Sequence, residues 1–260
     1  MRRLLVIGIG AGDPEHVTVQ AINALNEVDV FFVVEKSHET DELVRLRHEI
    51  CERYIREPTY RVVEIADPPR DRTTPAYSAA VEEWRARRAE LWERALAEEL
   101  GGDGCGAFLV WGDPSLYDST LAVLEQILAR GAVAFEHEVI PGISSVQALT
   151  ARHRIPLNRV GRPVEITTGR RLAEGFPDGV DEVVVMLDAD CSFRHLHDDG
   201  LEIHWGAYVG MKDEILVSGR VDKVGEEIQR LRREARERKG WIMDAYVLRR
   251  VSDDWIRTKA

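Results

Sequence analysis

The sequence predicts an α/β protein made of two α/β domains. Apolar runs of strand length recur at 4–7, 30–34, 107–111 and 139–140, and helical periodicity fills the gaps between them, as in a mostly parallel sheet covered by helices. Past Leu157 the pattern changes: candidate strands crowd together and one long helix follows them. Between these two regimes, two prolines and a glycine in Ile155-Pro156-Leu157-Asn158-Arg159-Val160-Gly161-Arg162-Pro163 interrupt any helix or central strand. The expected organisation is an N-terminal domain over 1–157, a linker over 158–162 and a strand-rich C-terminal domain over 163–260.

Each element has its own signal. The run at 4–7 stops at Gly8, too early for a signal-peptide core or a membrane span, so it reads as a first buried strand. Leu43, Leu46, Ile50 and Tyr54 fall on one helical face, and Tyr77, Val81, Trp84, Leu91 and Ala95 do so along a longer segment. Thr74 is placed to cap that second helix, Pro75 suits its first position, and Gly101-Gly102 ends it. In the second half, strands are expected at 164–167, 183–187, 203–209, 215–217 and 241–248, with a helix around 221–238. The charged run 230–239 reads as a solvated helix face, with Ile228, Leu231 and Ala235 turned inward.

Composition narrows the function. Of 260 residues, 44% are hydrophobic and 31% charged, which fits a globular chain with a buried core. A formal net charge of -11 argues against a nucleic-acid partner, which needs a basic face to displace counterions. An anionic small substrate would instead need local basic residues. Cys51, Cys105 and Cys191 are widely spaced and odd in number, describing neither a disulfide framework nor a zinc site, so a reducing cytoplasm is the default and no membrane partner is expected. Cys191, His195, His197 and His204 lack the paired spacing of a closed metal site, and no metal is expected.

Three loops carry the chemistry. Gly8-Ile9-Gly10-Ala11-Gly12-Asp13-Pro14 follows the first strand directly, but Asp13 stands where a dinucleotide fingerprint needs glycine. A carboxylate there suits an uncharged or cationic group better than a diphosphate, and alternate glycines let the backbone approach it. The strand at 107–111 ends in Gly112-Asp113-Pro114-Ser115-Leu116-Tyr117 and opens into a helix, placing this loop where open parallel sheets bind ligands. Pro141-Gly142-Ile143-Ser144-Ser145 is again a turn from strand to helix, with hydroxyls and N–H groups to offer a carboxylate or ribose.

In this order, and with Ile155-Pro156-Leu157 following, the three loops resemble the tetrapyrrole methylase family over nearly the whole chain. The resemblance continues through Ile215-Leu216-Val217-Ser218-Gly219-Arg220-Val221, which is similar to the family's entry to its last helix. It implies two α/β domains with an active-site cleft between them, S-adenosylmethionine as methyl donor, a precorrin as acceptor, and a homodimer. It also implies that Ala11, Gly112, Asp113, Leu116, Ser144, Ser145 and Leu187 line the cofactor site and that Tyr208 closes it. One departure stands out: common members carry Tyr-Met-Gly where this chain reads Met186-Leu187-Asp188, so the family's methionine role does not transfer intact.

The segments 31–36, 46–51, 205–208 and 240–246, with the inserted stretch 67–100, resemble the branch of the family in which an acetyl group leaves the macrocycle at the methylated carbon. That step needs a proton acceptor. Glu35, Asp188 and Asp244 are candidates because each interrupts or ends an apolar strand, where burial raises a carboxylate pKa. For the acceptor's carboxylates, Lys36, Arg45 and Arg47 are the expected partners, with Arg159, Arg162, Arg170 and Arg171 as further donors. Three other readings remain open here: a precorrin methyltransferase acting at a different ring carbon, a cofactor-binding relative without turnover, and an rRNA methyltransferase, which the acidic balance disfavours.

Overall fold

In the computed structural model, which describes residues 1–35, 41–69, 77–196 and 200–251, the first apolar run is strand β1 (Arg2–Gly8). Its side chains alternate between two cores, Leu4 and Val6 joining one and Leu5 and Ile7 the other. A strand buried on both faces is apolar at every position, so its sequence shows no alternation with polar residues. The chain divides into two units, Met1–Ser144 and Ser145–Ala260.

Unit 1 continues with α1 (Val19–Leu25), β2 (Val30–Glu35), α2 (Asp41–Tyr54), β3 (Arg61–Ala66), α3 (Tyr77–Glu99), β4 (Cys105–Val110), α4 (Thr120–Arg130) and β5 (Phe135–Ile140). Its sheet is wholly parallel, in the order β3-β2-β4-β1-β5. Helices α1 and α2 bury Ala21, Leu25, Leu46 and Ile50 on the face that Leu5 and Ile7 share. Helices α3 and α4 bury Trp92, Leu96, Val123 and Leu124 on the opposite face. The chain leaving β1 therefore turns to one face and the chain leaving its neighbour β4 turns to the other. That is a topological switch point, where open α/β sheets hold ligands beyond the strand ends.

Two details differ from expectation in unit 1. Strand β3 gave no apolar run, because as an edge strand it buries only Ile65. On α3 the most buried stripe is Ala89, Trp92 and Leu96, while Leu91 and Ala95 flank it. Thr74 and Pro75, expected at the start of this helix, lie outside the described residues.

Unit 2 contains α5 (Ser145–His153), β6 (Val164–Thr168), α6 (Gly169–Leu172), β7 (Glu182–Met186), β8 (Leu201–Ala207), β9 (Ile215–Arg220), α7 (Val221–Lys239) and β10 (Asp244–Arg250). The sheet runs β6-β7-β10-β8-β9, with β6 and β7 parallel and the remaining pairs antiparallel. The boundary falls after Ser144, ahead of the expected linker 158–162. The reason is packing: a Cβ on Gly206 would lie 2.6 Å from Leu149, and a ring nitrogen of His153 donates to the Trp205 carbonyl at 3.0 Å, so α5 belongs to the second sheet. Helix α7 ends at Gly240, whose φ of 78° is readily reached without a Cβ and whose N–H donates to the Arg236 carbonyl.

Candidate functional site

Register brings the three loops of unit 1 together. Gly8 pairs with Val110, and Ile7 pairs with both Leu109 and Ile140, so β1, β4 and β5 end side by side. Beyond the strands, Gly112 N–H donates to the Gly10 carbonyl at 2.8 Å, joining the first turn to the second. Gly142 of the third turn packs directly on both: a Cβ there would lie 2.1 Å from the Gly112 carbonyl oxygen and 2.9 Å from Gly8 Cα. A Cβ on Gly8 would in turn meet Gly142 N at 2.6 Å. The floor where the turns meet is thus main chain alone. Gly10 and Gly112 take φ of 83° and 67°, which explains glycine at those two positions.

The two Gly-Asp-Pro carboxylates hold this arrangement. Asp13 caps a short 3-10 turn (Pro14–His16) by accepting the Glu15 N–H at 2.9 Å. Asp113 does more. One oxygen accepts the backbone N–H and the hydroxyl of Ser115, and the other accepts the Gly142 N–H at 2.9 Å. Burial pushes the Asp113 carboxyl up, but the Ser115 hydroxyl and the Gly142 and Ser115 N–H groups outweigh it and hold the carboxyl below the usual carboxylate range. Ala11 is buried, Leu116 half-buried and Ser144 buried around this floor, and Tyr117 is exposed with φ of 51°. Asp118 then accepts the Thr120 N–H at 2.6 Å to start α4.

Sequence reasoning missed the clamp behind the second turn. Arg88 of α3, almost fully buried, donates to Asp67 at 2.7 Å and to the Ser119 hydroxyl at 2.9 Å, with its guanidinium over the Trp84 ring at 4.3 Å. Its signal was a basic residue four positions before Trp92 on the apolar stripe, a place where an unpaired charge is costly. Of the expected basic residues, Arg45 is exposed and Arg47 half-buried on α2. Burial lowers the Arg47 pKa and the charge of Asp118 opposes that shift. Among the described residues Arg47 has no hydrogen-bond or ion-pair partner. Lys36 and the side chain of Glu35 lie outside the described residues, although the Glu35 backbone ends β2.

In unit 2 the expected residues have internal partners. Asp188 accepts the Tyr246 hydroxyl at 2.6 Å, the Ser192 N–H and hydroxyl at 2.6 and 3.0 Å, and the Asp190 N–H at 3.0 Å. Burial and the neighbouring Asp188 push the Tyr246 phenol up, so it stays protonated and donates. Asp244 accepts Trp205 Nε1 and Arg232 Nε, each at 2.9 Å. Burial raises its pKa against the pull of Arg232 and Trp205. Two carboxylates so engaged have little acceptor capacity left for a reacting water. The Tyr208 side chain is fully buried, its hydroxyl donating to the Trp241 carbonyl at 2.6 Å, so the ring belongs to the core of unit 2 and presents no closing surface. Ser145 begins α5, half-buried, while Leu187 is exposed in the turn after β7 with φ of 54°. Arg159 is taken up by Glu182 at 2.7 Å, Arg162 lies 3.8 Å from Asp181, and Arg171 pairs with Glu174.

A family model described as Tetrapyrrole (Corrin/Porphyrin) Methylases matches residues 3–225. The chain belongs to that family. A curated relative from Sinorhizobium sp, "Precorrin-6A synthase [deacetylating]", is 53% identical to this methylase over 97% of each chain. A "Probable cobalt-precorrin-2 C(20)-methyltransferase" of Methanocaldococcus jannaschii is 27% identical over 86% of this chain and 90% of its own. Among solved structures, one described as a cobalamin synthesis related protein (CobF) of Corynebacterium diphtheriae has a TM-score of 0.84 at 36% identity, covering 97% of this chain and all of its own. Uroporphyrin-III C-methyl transferase of Thermus thermophilus, complexed with S-adenosyl homocysteine, shares the fold with a TM-score of 0.57 at 19% identity, covering 95% of this chain and 96% of its own. The methylase thus has the expected two-domain α/β architecture. Among the described residues no helix is long and apolar enough to cross a membrane, and no group of three or more His, Cys, Asp or Glu is placed to hold a metal ion.

Proposed function

We propose that this methylase transfers a methyl group from S-adenosylmethionine to precorrin-5 with loss of acetate, giving precorrin-6A. The observation that carries this reading is the 53% identity, over 97% of both chains, to a relative named as the deacetylating enzyme. The donor class is supported by the S-adenosyl homocysteine held by the Thermus thermophilus relative of the same fold.

The residues of unit 1 fit that donor. A floor with no side chain, where a Cβ on Gly142 would strike backbone at 2.1 Å, lets a nucleoside approach main-chain atoms at the switch point. Ala11, Gly112 and Leu116 would hold the donor there, and Ser144 and Ser145 offer hydroxyls where the third turn passes into α5. Asp113 organises the floor rather than touching chemistry, since its oxygens already face Ser115 and Gly142. When bound, the donor supplies an electrophilic methyl group. The chain's part is to fix donor and acceptor in a near-attack arrangement, which contributes roughly 7–11 kcal/mol in well-oriented reactions.

Deacetylation asks for a base. Water adds to the acetyl carbonyl and gives its proton to a carboxylate; the bond to the ring breaks, acetate leaves, and its electron pair stays on the ring carbon that becomes methylated. With Asp188 and Asp244 engaged, Glu35 is the remaining candidate, placed at the end of β2 on the same edge of the sheet as the three turns. Arg47, half-buried and with no hydrogen bond or ion pair among the described residues, is assigned to a carboxylate arm of the acceptor, with Lys36 and Arg45 assisting. The reading carries with it a homodimer working in the cytoplasm, with no nucleic-acid partner. The test is incubation with precorrin-5 and labelled S-adenosylmethionine. Equal yields of methylated product and acetate are expected, and methylated product without acetate would overturn the deacetylating assignment.

A further inference from the structure

The charged run 230–239, which the sequence presents as a solvated face, lines a groove. It has a volume of about 1070 Å³ and lies within unit 2, between α7 and the segment 187–195 that follows β7, with Arg170 at one side. Gln229, Arg233 and Arg236 recur at the spacing that puts them on one helical face, and Arg194 reaches in from the opposite wall. Arg232 secures that wall, donating to the Asp188 and Ala189 carbonyls at 2.8 and 3.1 Å while paired with Asp244. Among the described residues Arg194, Arg233 and Arg236 make no ion pair with a carboxylate; Arg194 donates to His195 and Gln229. Asp188, Asp190 and Glu237 also line the groove, but the Asp188 carboxylate is turned to Tyr246 and Ser192.

In a chain of net charge -11, three guanidinium groups that form no ion pair among the described residues, around a concavity that also holds Asp190 and Glu237, mark a local preference for anions. Their planar forks match carboxylates two bonds at a time. The volume is at the upper end of small-molecule sites, roughly 300–1,000 Å³, and far exceeds what a lone phosphate fills. We propose that the groove formed by Arg194, Arg233 and Arg236 in unit 2 grips the carboxylate arms of a polycarboxylated tetrapyrrole. The identity of the anion rests on the function proposed above; the existence of the site does not.

The test uses the full chain and no turnover, so a failure of precorrin-5 methylation leaves it readable. The protein is titrated with uroporphyrin III, an octacarboxylate, followed by porphyrin fluorescence anisotropy, with inorganic phosphate as competitor. The Arg233→Glu/Arg236→Glu variant, and the milder Arg233→Gln/Arg236→Gln, should weaken binding about tenfold or more, equivalent to about 1.4 kcal/mol or more. Binding of S-adenosylmethionine should be unchanged in both. Arg230→Glu/Arg238→Glu, matched in charge but outside the groove, should bind the porphyrin within about twofold of wild type. Wild-type affinity in both groove variants overturns the proposal, as does an equal loss in the control. Phosphate that binds as tightly as the porphyrin and displaces it overturns the tetrapyrrole assignment.

Discussion

The carboxylate of Asp113 accepts the backbone N–H of Gly142 at 2.9 Å, so the turn after β4 holds the turn after β5 in place. Asparagine at 113 keeps the size but turns one acceptor into a donor, which would face either Gly142 N–H or the Ser115 donors. Asp113→Asn is expected to weaken S-adenosylmethionine about tenfold or more by titration calorimetry, since bonds to a charged acceptor contribute about 1.5–3 kcal/mol. The pH sign follows from the depressed carboxyl. Its contribution is complete above the unfolded carboxylate pKa of about 3.9 and is lost as pH falls through the lower folded value. Donor affinity should therefore stay level from neutrality down to that range and then fall, and a wild-type decline beginning near neutrality would contradict this account.

Gly142→Ala should be far worse than its size suggests. Its methyl would sit 2.1 Å from a backbone oxygen that has no rotamer to change. Loss of donor binding by about a hundredfold is expected, with thermal unfolding at lower temperature. Gly101→Ala is the control, since nothing lies within 4 Å of its added carbon. Equal behaviour of the two would mean the turns do not meet as described.

Arg88 tests the clamp. Removing it leaves Asp67 shielded and unpaired, a situation that costs about 3–5 kcal/mol for buried pairs. Arg88→Ala should lower stability by that order in urea unfolding of the whole chain. Arg88→Lys should recover part of the pairing with Asp67 but not the fork to Ser119, and should still raise the KM for the donor while leaving kcat nearly unchanged. A normal KM in the lysine variant would remove the link between α3 and the second turn.

Glu35→Gln addresses the base. It should keep donor affinity and lower acetate release by about 100- to 10,000-fold, the usual contribution of a positioned base. Unchanged acetate release in single-turnover assays would return the search to other carboxylates.

The elements legible in the sequence were those whose burial leaves a mark. β1, β4 and the three glycine turns could be read because a doubly buried strand is uniformly apolar and a close main-chain approach needs glycine. β3 could not, since five of its six residues are not fully buried. The membership of α5 was hidden because helix, turn and prolines between 145 and 163 look alike whichever sheet Leu149 packs against. Asp188 and Asp244 were singled out because each interrupts or ends an apolar run, yet sequence cannot show that Tyr246, Ser192 and Arg232 engage them. Arg233 and Arg236 were read as solvated because the opposite wall of their groove lies at 187–195.

The absence of any Cβ where Gly8, Gly112 and Gly142 meet has an evolutionary consequence. Selection works by exchanging side chains, and these three positions have none to exchange: a substitution at any of them can ruin the junction but cannot retune it. Enzymes descended from such a fold would keep one donor and diversify their acceptors, because only residues around the rim remain free to vary.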